Sequence, residues 1–231
     1  MKIDLHNFFL HYDPKNPKHV AAVEQFEKDL EQKQPDLIQD ESNWVRIFRE
    51  KEPVPAQVGV LPVPYYPQTD NYRDANRTCN SSSCAMCLEY LKPGTLKGAK
   101  GDDAYVQKVF AIGDSTDHAV QTRVLEGYGV KSQFSYNLSF ADLDKSLSAG
   151  KPVVIGILHR GSLSAPTGGH MVVVIGKKGQ DYVVNDPYGS LNDGYTGAVT
   201  NGKGAVYKKT ELAQRWLDHG KDKTGWGRIF K

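Results

Sequence analysis

The run Arg77-Thr78-Cys79-Asn80-Ser81-Ser82-Ser83-Cys84-Ala85-Met86-Cys87-Leu88 passes from small, cap-forming polar residues directly into an apolar helical pattern. Cys79 therefore falls at or just before the first turn of a helix, where unpaired backbone N–H groups and the macrodipole favour an anion. A thiol there is drawn below its usual pKa of about 8.5, which makes the nucleophilic thiolate accessible near neutrality. An isolated cysteine is more often just a small buried residue, so the assignment needs a base and an orienting acid.

Both are available downstream. His170 opens a buried strand after two glycines, in Gly168-Gly169-His170-Met171-Val172-Val173-Val174-Ile175, and Asp186 ends the next strand in Val183-Val184-Asn185-Asp186-Pro187. Lys177-Lys178-Gly179-Gln180 between them reads as a hairpin turn. A turn centred on Lys178 sets His170 opposite Asp186, and opposed residues bring Cβ atoms to about 4.5–5.5 Å, close enough for a carboxylate to orient an imidazole. Cys, His and Asp in that chain order follow the papain-like arrangement. Gln68, eleven residues before Cys79, is a candidate second donor to an oxyanion beside the Cys79 N–H, although a surface glutamine is the commoner occurrence.

Other signals have plainer readings. Cys84-x-x-Cys87 looks like a metal half-site, but no second pair exists and both residues lie inside the helix, so they are expected in the core. Asp70, Asp74 and Asn76 have calcium-loop spacing without the glycine and glutamate of an EF-hand, which favours a solvated loop. His159 and Gly161 are candidates for the rim of a cleft, with an exposed strand-end position the equal alternative for His159, and Trp44, Trp216 and Trp226 are most simply core.

These residues require particular elements to hold them. Helices are expected over 81–91, 102–112, 116–128 (capped from Asp114 to Thr116 and stopped by Gly129) and 139–147. Strands are expected over 152–158, 170–176 and 182–185, with another near 205–208. Helices followed by strands indicate an α+β fold with an antiparallel sheet. Upstream, Asn16-Pro17 begins an amphipathic helix marked by Val20, Val23, Phe26 and Leu30, and Trp44, Ile47 and Phe48 mark a second helical face. A Pro-rich stretch from Pro53 to Pro67 reads as an extended linker or edge segment, which divides the chain into a helical segment, 1–58, and a catalytic domain, 59–231. The smaller segment is short for an independent core and is expected to dock on the larger.

Composition excludes several classes of function. The 231 residues hold 29 Lys plus Arg against 27 Asp plus Glu, a net charge of +2 with no block of like charges, so nucleic-acid binding has no support. The longest apolar run, Met171 to Ile175, is far short of the roughly 20 residues of a membrane span. Three clustered cysteines do not make a disulfide framework, and residues 8–10 are too few for a signal-peptide core.

With these residues in view, the chain resembles the papain-like cysteine peptidases of the double-glycine-leader, bacteriocin-processing type, in their stand-alone phage and wall-hydrolase branch. The likeness runs through Gln68, Asp70-Asn71, Thr78-Cys79-Asn80, Gly113-Asp114, Gly150-Lys151-Pro152, Gly169-His170, Asp186-Pro187 and Trp226, over about residues 60–231. Asn80-Ser81 stands where many members have Gly-Pro. The resemblance implies Cys79 as nucleophile, His170 as base, Asp186 as orienting acid and Gln68 as oxyanion donor, with neither cofactor nor metal. It implies a monomeric endolysin that cleaves an amide bond of bacterial peptidoglycan, held without a signal peptide in the host cytoplasm until release. An intracellular protease acting on a protein, or a silent wall-binding or virion component, are the competing expectations.

Overall fold

The runs Val153-Val154-Ile155 and Met171 to Ile175 contain no alternating polar residues, a pattern that calls for apolar cover on both faces of a sheet. The computed structural model of the protein, which describes residues 15–21, 25 and 59–231, provides that cover. The chain separates into two compact units, residues 1–54 and 55–231. In the first, Asn16 starts the helix as its type predicts, with its side chain accepting from the Lys18 N–H at 3.1 Å and its carbonyl from His19 and Val20. Val23, Phe26, Leu30, Trp44, Ile47 and Phe48 lie outside the described residues.

The second unit contains, in chain order, α1 (Cys79–Leu91), α2 (Gly101–Ile112), α3 (His118–Gly127), β1 (Ser132–Leu138), α4 (Phe140–Ser148), β2 (Val153–Ile157), β3 (Arg160–Ser162), β4 (Ala165–Thr167), β5 (His170–Lys178), β6 (Asp181–Asn185), β7 (Ala205–Tyr207), α5 (Lys209–Trp216) and β8 (Gly225–Phe230). The fold is α+β: a six-stranded antiparallel sheet in the order β1-β8-β2-β5-β6-β7, plus a β3–β4 ribbon. On one face, Val154, Met171, Val173 and Ile175 pack against α1, α2 and α3. On the other, Val153, Ile155, Val172 and Val174 pack against Leu143 and Leu147 of α4 and Leu212 and Trp216 of α5. Burying each such aliphatic side chain contributes about 1.5–3 kcal/mol, which is why β2 and β5 anchor the sheet.

Local chemistry sets the element ends. Ser139 and Asp142 form a reciprocal capping box on α4. For α3 the expected cap at 114–116 is displaced: Asp117 is the cap, its carboxylate accepting from the Ala119 and Val120 N–H groups, while Asp114 turns back onto Thr116. Strands β1 and β8, the β3–β4 ribbon and helix α5 are additional to the expected elements. The described end of the Pro-rich stretch is bound rather than free: the Leu61 N–H donates to the Ile175 carbonyl at 2.8 Å, and Val63 and Tyr66 are buried. Trp216 is core as expected, whereas Trp226 is only half-buried, and Trp44 lies outside the described residues.

Arg228 on β8 is buried. Its guanidinium donates to Thr122 Oγ1, Ser132 Oγ and the His118 carbonyl at 2.7–2.8 Å, tying α3 and β1 to the middle of the sheet. Beside it, Gly227 lies where an added Cβ would stand 2.5 Å from the Val154 carbonyl oxygen. Gly227→Ala is therefore expected to cost about 1–3 kcal/mol through overpacking. Gly127→Ala, at an exposed helix position with open space around it, is expected to stabilise by about 0.4–1 kcal/mol. Denaturant unfolding of the two variants checks both signs.

Candidate active site

Thr78 is the N-cap of α1 and Cys79 its first residue, so the thiol sits at the first turn, with the Asn80 N–H bonded to it. Asn80-Ser81, in place of a Gly-Pro pair, is accommodated by partners near the start of α3. The Asn80 amide donates to His118 Nδ1 at 3.2 Å, and Ser81 Oγ meets Ser115 Oγ at 2.7 Å and the Gln121 amide at 2.8 Å. Cys84 and Cys87 face the core and are fully buried, and burial pushes both thiols up, so they are chemically quiet.

His170 begins β5, paired with Ile157 of β2. The expected register with Asp186 requires correction by two residues. A tight turn at Gly179-Gln180, with Gly179 at φ +61°, pairs Lys178 with Asp181 rather than centring on Lys178. An irregularity at Ile175 then sets Val173 opposite Asn185, so the ladder continued by one residue brings Asp186 level with Val172. His170 is a diagonal neighbour across the pair, a separation that long side chains bridge. His170 Nε2 and Asp186 Oδ1 are accordingly 2.7 Å apart.

Asp186 is buried and fully engaged. Oδ1 also accepts from the Tyr188 N–H at 3.0 Å, and Oδ2 accepts from the hydroxyls of Tyr207 at 2.6 Å and Tyr195 at 3.1 Å. Each charge-assisted hydrogen bond of this kind is worth about 1.5–3 kcal/mol, and together they hold a carboxylate where an unpaired one is not tolerated. Desolvation is the largest influence on His170 and opposes its charge, but the Asp186 carboxylate and the Cys79 sulfur outweigh it and lift the imidazolium to about 10. For Cys79 the largest influence, burial, pushes the thiol up. Contact with His170 and the N–H groups of Met171 and Asn80 reverses it and draws the thiol below its ordinary value. Thiolate and imidazolium are thus the paired resting forms.

Gln68 is buried in a short 3₁₀ turn. Its N–H donates to the Pro187 carbonyl at 2.8 Å, and its side-chain amide donates to Ala75 O at 2.7 Å, its second amide hydrogen having no bond among the described residues. Together with Asn76, His159, Arg160, Gly168, Gly169 and Tyr188, Gln68, Cys79 and His170 line a cleft of about 360 Å³. His159 therefore stands in the cleft, while Gly161 belongs to β3. Asp74 and Asn76 are exposed, and among the described residues no set of three His, Cys, Asp or Glu side chains is arranged to hold a metal. Tyr195 and Tyr207 carry no motif; the only signal for them was their position beyond Asp186-Pro187.

A helix-borne thiol facing a strand-borne histidine on an α+β scaffold defines the class of cysteine peptidases with papain-like architecture. Residues 60–224 match the Peptidase_C39 like family, and the chain belongs to that family. Among solved structures it is similar in fold to a C39-like peptidase from Bacillus anthracis, at 16% identity and a TM-score of 0.50, over 74% of this chain and 96% of that one. A double glycine motif protease from an AMS/PCAT transporter, solved in complex with its leader peptide, gives 19% identity and a TM-score of 0.47 over 75% and 94%. No curated protein matches the chain.

Because the thiolate depends on His170, alkylation of Cys79 by iodoacetamide followed by intact mass against pH is expected to show its midpoint below the ordinary thiol value of about 8.5. In His170→Ala, burial is left opposed only by the backbone N–H groups, and the midpoint is expected to rise to that value or above it.

Proposed function

We propose that the protein is a peptidoglycan hydrolase that cleaves an amide bond of the wall peptide with a Cys79–His170–Asp186 triad. The contact of a buried, four-donor carboxylate with the histidine that faces the thiol is the observation that carries this reading. The Cys79 thiolate attacks the carbonyl carbon, and the oxyanion is received by the Cys79 N–H and the remaining Gln68 amide hydrogen. His170 protonates the leaving amine, leaving a thioester. The neutral His170 then takes a proton from water as its oxygen attacks the thioester carbonyl carbon, and the C–S bond breaks to release the acid and restore the Cys79 thiolate and the His170 imidazolium. Asp186 keeps the ring oriented and compensates its charge.

The choice of wall peptide over protein rests on the cleft lining. Among the described residues, and apart from the nucleophile itself, it consists of polar or aromatic side chains and two glycines, with no aliphatic pocket for a protein's apolar side chain. Such a surface suits a stem peptide of small residues and carboxylates. In the endolysin reading the enzyme works on the wall after release from the host cytoplasm, as a monomer.

Cys79→Ala and Cys79→Ser are expected to abolish turbidity loss of permeabilised bacteria, while Cys84→Ala and Cys87→Ala retain it wherever folding survives. Gln68→Ala is expected to lower kcat by about 10²–10³ with little change in KM, the cost of one oxyanion donor. Mass spectrometry of fragments released from purified sacculi identifies the bond. Intact sacculi alongside cleaved protein substrates would favour the protease reading instead.

A further inference from the structure

The chemistry proposed above gives the cleft a direction. The oxyanion lies on the Gln68 side, and the leaving amine must lie at His170, which protonates it. A cleft group that adjoins His170 therefore meets the part of the substrate that carries the amine. His159 is there, its ring centroid 5.1 Å from that of His170 and 5.7 Å from that of Tyr195. Its Nδ1 is buried without a hydrogen-bond partner among the protein groups. A buried polar atom left unpaired costs about 1–3 kcal/mol, and a small turn of the ring toward the cleft brings Nδ1 within reach of a substrate group. Gly168, at φ +73°, packs close to this ring, where an added Cβ would stand 3.0 Å from its Cε1 and 3.2 Å from its Nδ1.

Charge on this side is one-sided. Arg160, next along the chain, lines the cleft with its side chain exposed. Arg215 holds the foot of the β3–β4 ribbon through the carbonyls of Leu158, Arg160 and Gly161 at 2.7–3.1 Å. Burial first, then His170, Arg160 and Arg215, keep His159 neutral by drawing it down to about 4, against the opposing pull of Asp186. That carboxylate is already saturated by His170, Tyr188, Tyr195 and Tyr207.

We infer that His159 and Arg160 form a carboxylate-binding subsite on the leaving-group side, so that the preferred scissile amide is one whose nitrogen belongs to a carbon also bearing a free carboxylate. The carboxylate pairs with the Arg160 guanidinium, and the neutral imidazole of His159 supplies a hydrogen bond beside it. A carboxy-terminal residue has this chemistry, as does the distal centre of a cross-link made through a diamino diacid. The inference rests on the catalytic reading above and adds the substrate class to it.

Two measurements on the full chain separate the subsite from the wall assignment. In the first, the rates of Cys79 alkylation by iodoacetate and by iodoacetamide are compared by intact mass, which needs no substrate. Arg160→Gln is expected to lower the iodoacetate-to-iodoacetamide ratio by about threefold, as for loss of one partly exposed charge, and Arg160→Lys to retain most of it. In the second, cross-linked wall fragments with a free carboxylate beside the scissile amine are compared with fragments carrying a carboxamide there. The free acid is expected to have about tenfold higher kcat/KM, a preference lost in Arg160→Gln. A ratio unmoved by Arg160→Gln, or equal cleavage of the two fragments, overturns the subsite. A ratio that falls while sacculi remain intact supports the subsite and removes the peptidoglycan assignment alone.

Discussion

A carboxylate with no access to water must be surrounded by donors, and Asp186 is where the protein meets that requirement. Its partners come from different places: His170 from the start of β5, Tyr188 from the adjoining loop, Tyr195 from the segment after it and Tyr207 from β7. The backbone of the same residue is also held, its N–H by the Gly202 carbonyl and its carbonyl by the Tyr65 hydroxyl. Loss of one donor leaves a charge without full compensation in the interior, so the whole end of the sheet is constrained to a single arrangement. The same anion makes it favourable for a buried imidazole to keep its proton, and the imidazolium in turn draws down the thiol of Cys79.

The architecture supports this arrangement from both sides. Strands β2 and β5 are covered by helices on each face, so the position of His170 is set by packed core. The nucleophile arrives on a helix pinned by other contacts: Ser83 to the Met171 carbonyl, Ser82 to Asp102, Asn80 to His118 and Ser81 to Ser115. The serines that read in sequence as helix-entry residues therefore fasten α1 to β5, α2 and the approach to α3. Gln68 is linked to the acid's loop through the Pro187 carbonyl. Three stretches remote in sequence are thereby held at one end of the sheet.

The parts of this design that depend on local chemistry were legible in the sequence. The entry of α1 close to Cys79, the helix beginning around Ser139 and the buried strands follow from residue types within a few positions of each other. The antiparallel α+β class followed from the order of those patterns. What escaped depends on long-range packing or on small local irregularities. Strands β1 and β8 are polar or glycine-containing, and they exist because they pair with each other and β8 pairs with β2. The hairpin offset arises from an irregularity at Ile175 and a turn two residues long, neither of which hydropathy records. Tyr195 and Tyr207 are ordinary tyrosines until the fold brings them to Asp186. His159 was visible as a neighbour of the cleft, but its unpaired nitrogen appears only in three dimensions.

The central claim is that Asp186 holds His170 as an imidazolium, and the ring itself reports this. NMR titration of histidine-labelled protein, with the His170 signal assigned by its absence in a His170 variant, follows the protonation directly. The account predicts that the His170 ring stays doubly protonated through neutral pH and loses its proton near 10. In Asp186→Asn, where only the Cys79 sulfur still offsets burial, the proton is predicted to leave well below 10. A His170 ring that titrates at or below the ordinary histidine value of about 6.5 in the unaltered protein, or one unaffected by Asp186→Asn, would contradict the account.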